Sequence, residues 1–354
     1  MPLYVDDKFF PYAVALEVTL ACNMRCIHCG SYANGQNRAN SLNLNEWKKV
    51  IDELKSLKAK YFTLSGGEPF MYPHWRELVN YIKSENDDYS EISIISNGAQ
   101  ITEDDIRFLK SKKSTHIAIS LDGNENTHDY IRQYKGAYNN VMNVIDMCQE
   151  NNYRVGIVTS FNKLNFAQRA DILKILMDKG VDIWQVQIVN SFGRAGKNAE
   201  SLIVEKNQLV ELTNDILKWK EEYGDKIKIT IADSMGYCHD KIDKLLDGAT
   251  WDGCSAGKYV LGIESNGNVK GCLSLQDDKF SAGNVRNRSL KDIWYDDNCF
   301  AYTRNYDPKQ MEGNCQNCSS HEECKAGCLS MAYSLHKSIY KNEYCYKHIV
   351  ESTL

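Results

Sequence analysis

Three cysteines at spacings of four and three, Cys22, Cys26 and Cys29, follow directly on the apolar run 13–20. Thiolates are the usual ligands of iron–sulfur clusters, and a [4Fe–4S] cube takes four of them. Three thiolates from one loop leave one iron open to a small molecule. Zinc is the competing reading, but structural zinc sites usually join two close cysteines to a second distant pair, and no such pair lies nearby. Further cysteines come late: from Cys238 onward the chain carries nine of its thirteen. The run Cys315-x2-Cys318-x5-Cys324-x3-Cys328, preceded by Cys254 and Cys272 and followed by Cys345, again reads as metal ligation. The Cys315/Cys318 pair alone would also suit zinc.

Composition narrows the classes. The 354 residues suffice for a large domain and a smaller one, each with a core. At 43% hydrophobic and 25% charged the chain reads as globular, and its net charge of −5 gives no support to nucleic-acid binding. The first eight residues include acidic side chains and no long apolar stretch, unlike a signal peptide. No apolar run reaches the length of a membrane span. The expectation is a cytoplasmic protein with neither membrane nor nucleic-acid partners. Thiols stay reduced there, so many cysteines mean metal rather than disulfides.

Elements must bring these residues together. Strand-like runs at 13–20, 61–65, 91–96, 116–121, 154–159 and 183–188 alternate with helical patterns at 45–57, 75–84, 104–111, 138–150 and 166–177, and a last helix at 206–222 follows. Such alternation predicts a parallel sheet. Six units are fewer than the eight of a closed barrel, so an open, partial (β/α)6 TIM-type barrel is expected, with its site at the C-terminal strand ends. Cys22 to Cys29 follow the first strand and fall on that rim. Cys148 lies on the apolar face of its helix with Val141, Val144 and Ile145 and reads as core. Gln185 and Gln187 alternate with Val186 and Ile188, and one glutamine is expected to face the interior. The alternation ends near Ile231, which divides the chain into a barrel, 1–235, and a cysteine-rich domain, 236–354. The last residues, 351–354, are expected to fray.

Other rim segments carry polar groups. Ser65-Gly66-Gly67-Glu68-Pro69 follows the second strand, Ser96-Asn97-Gly98 the third, and Ser120-Leu121-Asp122-Gly123 the fourth, with Arg132 shortly after. As bare residues these are turns and a surface ion pair. In combination with C-x3-C-x2-C after a first strand, they resemble the radical S-adenosylmethionine (radical SAM) enzymes. That resemblance runs through nearly the whole chain. It implies that the open iron chelates the methionyl amino and carboxylate groups of S-adenosylmethionine. It further implies cofactor contacts from His28, Gly66, Gly67, Glu68, Ser96, Asn97, Ser120, Asp122 and Arg132. A guanidinium suits a carboxylate because its fork donates two hydrogen bonds.

The later cysteines resemble the SPASM extension, which holds two auxiliary clusters and brings the implied total to three [4Fe–4S] clusters. In two-cluster ferredoxins the fourth cysteine of a tight run ligates the other cluster, and the family does likewise. The resemblance then implies an outer cluster on Cys315, Cys318, Cys324 and Cys345, and an inner one on Cys254, Cys272 and Cys328. Cys238 is the nearest spare thiol for a fourth inner ligand, and an inner iron left open for substrate is the alternative.

Family likeness implies an oxidoreductase that modifies a ribosomally made precursor peptide or a protein, forming a crosslink or another oxidative change. Its electron comes from a donor such as flavodoxin or ferredoxin. Twelve residues precede the first strand, fewer than a leader-binding winged-helix domain needs. Leader recognition is therefore expected from a separate protein, from the barrel, or not at all. The alternative substrate class is a sulfatase, with a Cys or Ser oxidised to formylglycine. Gly30-Ser31-Tyr32 departs from the aromatic continuation typical of those maturases. A plain electron-transfer protein would need the clusters but not the Gly66–Pro69 turn or Arg132. No Ser/His/Asp constellation marks a catalytic acid or base.

Overall fold

A computed structural model describes residues 4–5, 8–84, 87–232, 235–249 and 251–352. Most of the N-terminal stretch 1–8 and the last two residues of the segment expected to fray lie outside these. The chain forms two compact units. One comprises Met1–Arg25, Ser31–Ala118 and Ser255–Tyr306, and the other Cys26–Gly30, Ile119–Cys254 and Asp307–Leu354.

In the first unit β1 (Ala13–Thr19), β2 (Tyr61–Gly66) and β3 (Glu91–Ser96) run parallel, with Leu16 opposite Leu64 and Leu64 opposite Ile94. Helices α1 (Leu44–Ser56), α2 (Trp75–Ile82) and α3 (Glu103–Lys110) connect or follow these strands. The first has a reciprocal cap: the Asn43 side chain accepts from the Asn45 and Glu46 N–H groups, and Glu46 accepts from the Asn43 N–H. Its buried stripe of Trp47, Val50, Ile51 and Leu54 has the helical spacing.

Strand β4 (Thr115–Ser120) leads into the second unit. There β5 (Val155–Phe161), β6 (Ile183–Ile188) and β7 (Lys228–Ile231) run parallel, with Ile157 opposite Trp184 and Trp184 opposite Ile229. Helices α4 (Glu125–Arg132), α5 (Ala137–Glu150), α6 (Arg169–Asp178) and α7 (Lys206–Tyr223) belong to this unit. Cys148 is fully buried on α5, as read from its apolar face.

Two differences from the sequence reading concern strands. β7 is a parallel strand beyond the six expected, too short to show a pattern. Trp184, Val186 and Ile188 form the buried face of β6, and Gln185 and Gln187 share the other. The expectation that one glutamine alone faces inward is therefore corrected, since residues two apart on a strand point the same way.

The hairpin read around Ser265–Asn268 is β8 (Val260–Ile263) with β9 (Asn268–Lys270), and β10 (Ser281–Asn284) extends it antiparallel. β8 also pairs parallel with β1, Val260 opposite Ala13, so a segment far along the chain joins the first strand's sheet. Among the described residues, no helix is long and apolar enough to cross a membrane.

Candidate functional site

In the first unit the site is built on backbone contacts. The Gly67 N–H donates to Thr19 O at 2.8 Å and the Glu68 N–H to Ala21 O at 2.9 Å. Gly66 has φ +136°, and a Cβ there would lie 2.0 Å from Thr19 O. At Gly67 it would lie 2.2 Å from Ala21 O. Only glycines allow this approach, and it places Glu68 beside the residues leading into Cys22.

The Glu68 carboxylate is fully buried. It accepts from Ser96 Oγ at 2.8 Å, the Asn97 N–H at 2.8 Å and the Phe70 N–H at 3.2 Å. Asn97 Nδ2 donates to Asn23 Oδ1 at 2.7 Å and points to Cys22 Sγ at 3.8 Å, while the Met24 N–H lies 3.4 Å from that sulfur. Gly66, Gly67, Glu68, Ser96 and Asn97 thus gather around Cys22.

Sequence reasoning missed a clamp on this loop. Asn37 accepts from the Leu20 and Ala21 N–H groups and from Thr19 Oγ1, and the Cys22 N–H donates to Asn34 O. Next to it, the Arg38 fork grips buried Glu17 at 2.6 and 2.9 Å and reaches Glu264 at 3.4 Å. Fully buried Lys270 lies 2.9 Å from Glu264. The only sequence signal was a set of charges on apolar strands.

In the second unit charge dominates. Asp122, fully buried, pairs with Arg132 at 2.6 Å, lies 3.6 Å from His28 Nε2, and accepts from the Ser160 N–H at 3.0 Å. Burial pushes its carboxyl up, but Arg132 above all outweighs this and holds it below the usual range. Burial opposes the charge on Arg132, yet Asp122 and Cys26 keep the guanidinium firmly protonated.

Burial drives His28 down to about 4, against the pull of Asp122, and His128 down to about 3. His128 Nδ1 accepts the Asp122 N–H at 2.9 Å, which makes the imidazole a neutral acceptor. Arg132 Nη1 lies 3.9 Å from Cys26 Sγ. Burial raises the Cys26 thiol, and Arg132 opposes that shift. Ser120 ends β4 half-buried.

Gly193 and Arg194 cradle the segment that carries Cys26 and Cys29. Arg194 Nε donates to Cys26 O at 2.7 Å and its N–H to Cys29 O at 2.9 Å, while a Cβ on Gly193 (φ +53°) would meet Gly30 O at 2.3 Å. Gly193-Arg194 after a strand was the only signal for these two.

The second unit also holds seven of the nine late cysteines. Cys315, Cys318, Cys324 and Cys345 line one cavity with Tyr237 and His348. The Asn342 N–H donates to Cys315 Sγ at 3.4 Å, and the Lys347 and His348 N–H groups donate to Cys345. Burial raises the Cys315 thiol and pushes Cys345 up to about 11. Such thiols stay protonated until a metal takes the proton's place, and amide donors around them suit sulfur ligated to iron. Cys254 and Cys328 belong to this unit and Cys272 to the first, where the Ser274 N–H lies 3.4 Å from its sulfur. Cys238 touches Cys324, one of the cysteines that line that cavity.

The donors around the first motif also fit a cofactor. Among the described residues, buried Arg132 Nε and His28 Nδ1 have no hydrogen-bond partner, as expected where a polar ligand supplies it.

Comparison with known proteins gives two domain matches. Residues 16–182 match the Radical SAM superfamily and residues 254–319 the SPASM iron-sulfur cluster-binding domain. The sporulation killing factor maturation protein SkfB of Bacillus subtilis is 26% identical over 82% of this chain and 67% of its own. An AdoMet-dependent heme synthase of Methanosarcina barkeri is 25% identical over 92% and 93%. Streptococcus suis SuiB, solved bound to S-adenosylmethionine, has the same fold, with a TM-score of 0.75 at 16% identity over 95% of this chain and 77% of SuiB. SuiB has also been solved bound to its precursor peptide SuiA, with a TM-score of 0.73 at 17% identity over 95% and 76%.

Proposed function

We propose that this chain, an enzyme that belongs to the radical SAM superfamily and carries a SPASM iron–sulfur domain, is a peptide maturase working through S-adenosylmethionine. The observation that carries the reading is the Gly66–Glu68 turn, bonded by its backbone to the strand end that leads into Cys22. Likeness to SkfB, a maturation protein, and to SuiB, solved with a precursor peptide, supports the substrate class.

Cys22, Cys26 and Cys29 would hold the first cluster. Loaded with that cluster and S-adenosylmethionine, the site would supply radical chemistry for taking a hydrogen atom from an unactivated carbon. The protein orients and shields. Glu68, held by Ser96 and Asn97, offers a fixed carboxylate to a methionyl ammonium. Arg132, anchored by Asp122, has Nε left for a carboxylate, and neutral His28 presents a ring and an unpaired nitrogen. The outer cluster falls to Cys315, Cys318, Cys324 and Cys345, and the inner to Cys254, Cys272 and Cys328. The electron comes from a flavodoxin- or ferredoxin-type donor.

The heme synthase relative, similar over nearly the whole of both chains, favours a second reading in which the carbon attacked belongs to a porphyrin. Anaerobic incubation with S-adenosylmethionine, reductant and either a candidate peptide or an iron porphyrin separates the two. The maturase reading expects a peptide mass change and stoichiometric 5′-deoxyadenosine. Turnover only with the porphyrin would overturn it.

A further inference from the structure

The segment after β7 brings a fifth thiol to the outer cluster's site. Tyr237 and His239 fix the backbone on either side of Cys238. The Tyr237 ring packs on Trp251 with centroids 4.7 Å apart and lies flush on Gly327, where a Cβ would come within 2.2 Å of it. Trp251 Nε1 donates to Cys324 O at 3.1 Å. The His239 ring meets the ring of Tyr346, the residue after Cys345, edge-on at 4.8 Å. Between these anchors the Cys238 sulfur shares a hydrogen bond with the Cys324 sulfur. Cys324 in turn lies within electrostatic reach of Cys345 and Cys315.

A [4Fe–4S] cube takes four thiolates, and Cys315, Cys318, Cys324 and Cys345 already supply four. A thiol hydrogen-bonded to one ligand sulfur is one small rotation from the same iron. From this geometry, and resting on the outer-cluster reading above, we propose that Cys238 and Cys324 are interchangeable ligands of one iron in the outer cluster.

The exchange is balanced. The iron–sulfur bond to Cys324 breaks, the bond to Cys238 forms, and the Cys238 proton passes to Cys324 along the hydrogen bond they share. No electron moves. Cys238 then serves the outer site, and the inner cluster keeps three cysteines. The outer cluster gains a means of staying bound when one ligand is lost or oxidised.

The test uses the full chain, reconstituted anaerobically, with iron and sulfide analysis and Mössbauer spectra. Cys324→Ala alone and Cys238→Ala alone are expected to keep wild-type iron. The double variant leaves three cysteines at the site and is expected to show a changed outer-cluster Mössbauer signal that neither single variant shows. Retention of the first cluster's signal reports that each variant has folded. Loss of the outer signal in Cys324→Ala, or a changed inner signal in Cys238→Ala, would overturn the proposal. Cys315→Ala tests the underlying reading separately: it should change the outer-cluster Mössbauer signal, and an unchanged signal would remove the outer assignment itself.

Alkylation of the native holoprotein gives a measurement that needs no variant. Mass spectrometry is expected to find label on Cys238 in some molecules, on Cys324 in others, and on both in none. Label on Cys238 alone would make it a bystander and overturn the exchange.

Discussion

Cys22 and Cys26 belong to one eight-residue motif, yet their surroundings differ in kind. Around Cys22 the groups are amides and backbone: Asn97, Asn23, the Met24 N–H, and the Gly66–Glu68 turn on the Thr19 and Ala21 carbonyls. Around Cys26 they are the buried Arg132–Asp122 ion pair, and Asp122 in turn meets His28 and His128. Amide hydrogen bonds fix position at modest energy and are indifferent to pH. A buried ion pair is costly to break and depends on protonation. The first surrounding sets geometry around one buried carboxylate, Glu68; the second sets it through a buried ion pair.

The sharpest way to break this contrast is Asp122→Ala. It leaves the Arg132 guanidinium buried without its partner, a loss of about 3–5 kcal/mol. Urea unfolding should show that loss, and a change under about 1 kcal/mol would mean that water or another group already satisfies Arg132.

Acid sharpens the contrast. Burial holds folded His128 at about 3, whereas an unfolded histidine titrates near 6.5. Between those values the unfolded chain binds a proton that the folded chain refuses. Stability should therefore fall as pH drops from about 6.5 toward 3, by up to roughly 1.4 kcal/mol per pH unit from this group. The low carboxyl of Asp122 adds a loss in the same direction at still lower pH. Unfolding at stepped pH should show a shallower slope for His128→Gln than for the native chain. Equal slopes would mean that His128 is accessible to protons when folded.

The smallest effect belongs to the amide side. Asn97→Ala should cost about 0.5–1.5 kcal/mol for each of its two neutral side-chain hydrogen bonds, to Asn23 Oδ1 and from the Ala99 N–H, with no change in the pH slope. A loss as large as that of Asp122→Ala would erase the distinction between the two surroundings.

How much of this was legible in the sequence follows from the range of the interactions. Strands and helices with strong periodicity, such as α1 with Trp47, Val50, Ile51 and Leu54, were readable because their pattern is local. α4 was not: its buried residues are His128, Ile131 and Arg132, two of them polar, so no apolar stripe announces it. The pairing of β8 with β1 and the grip of Arg38 on Glu17 and Glu264 join residues far apart in the chain, and neither leaves a periodic trace. The rim motifs were readable as residue types, but not what they bond to. Glu68 is tied to Ser96 and Asn97, and Arg132 is anchored by Asp122. Cys238 shows the limit most clearly, since proximity along the chain pointed to Cys254 whereas its sulfur meets Cys324.

The proposed role of Cys22, Cys26 and Cys29 is to hold the cluster that works on S-adenosylmethionine. Its most direct test is reductive cleavage of S-adenosylmethionine by the anaerobically reconstituted chain, with Cys22, Cys26 and Cys29 replaced together by Ala as the control. The native chain should release 5′-deoxyadenosine, and the triple variant should release none while keeping its remaining iron. Undiminished 5′-deoxyadenosine from the triple variant would contradict the account.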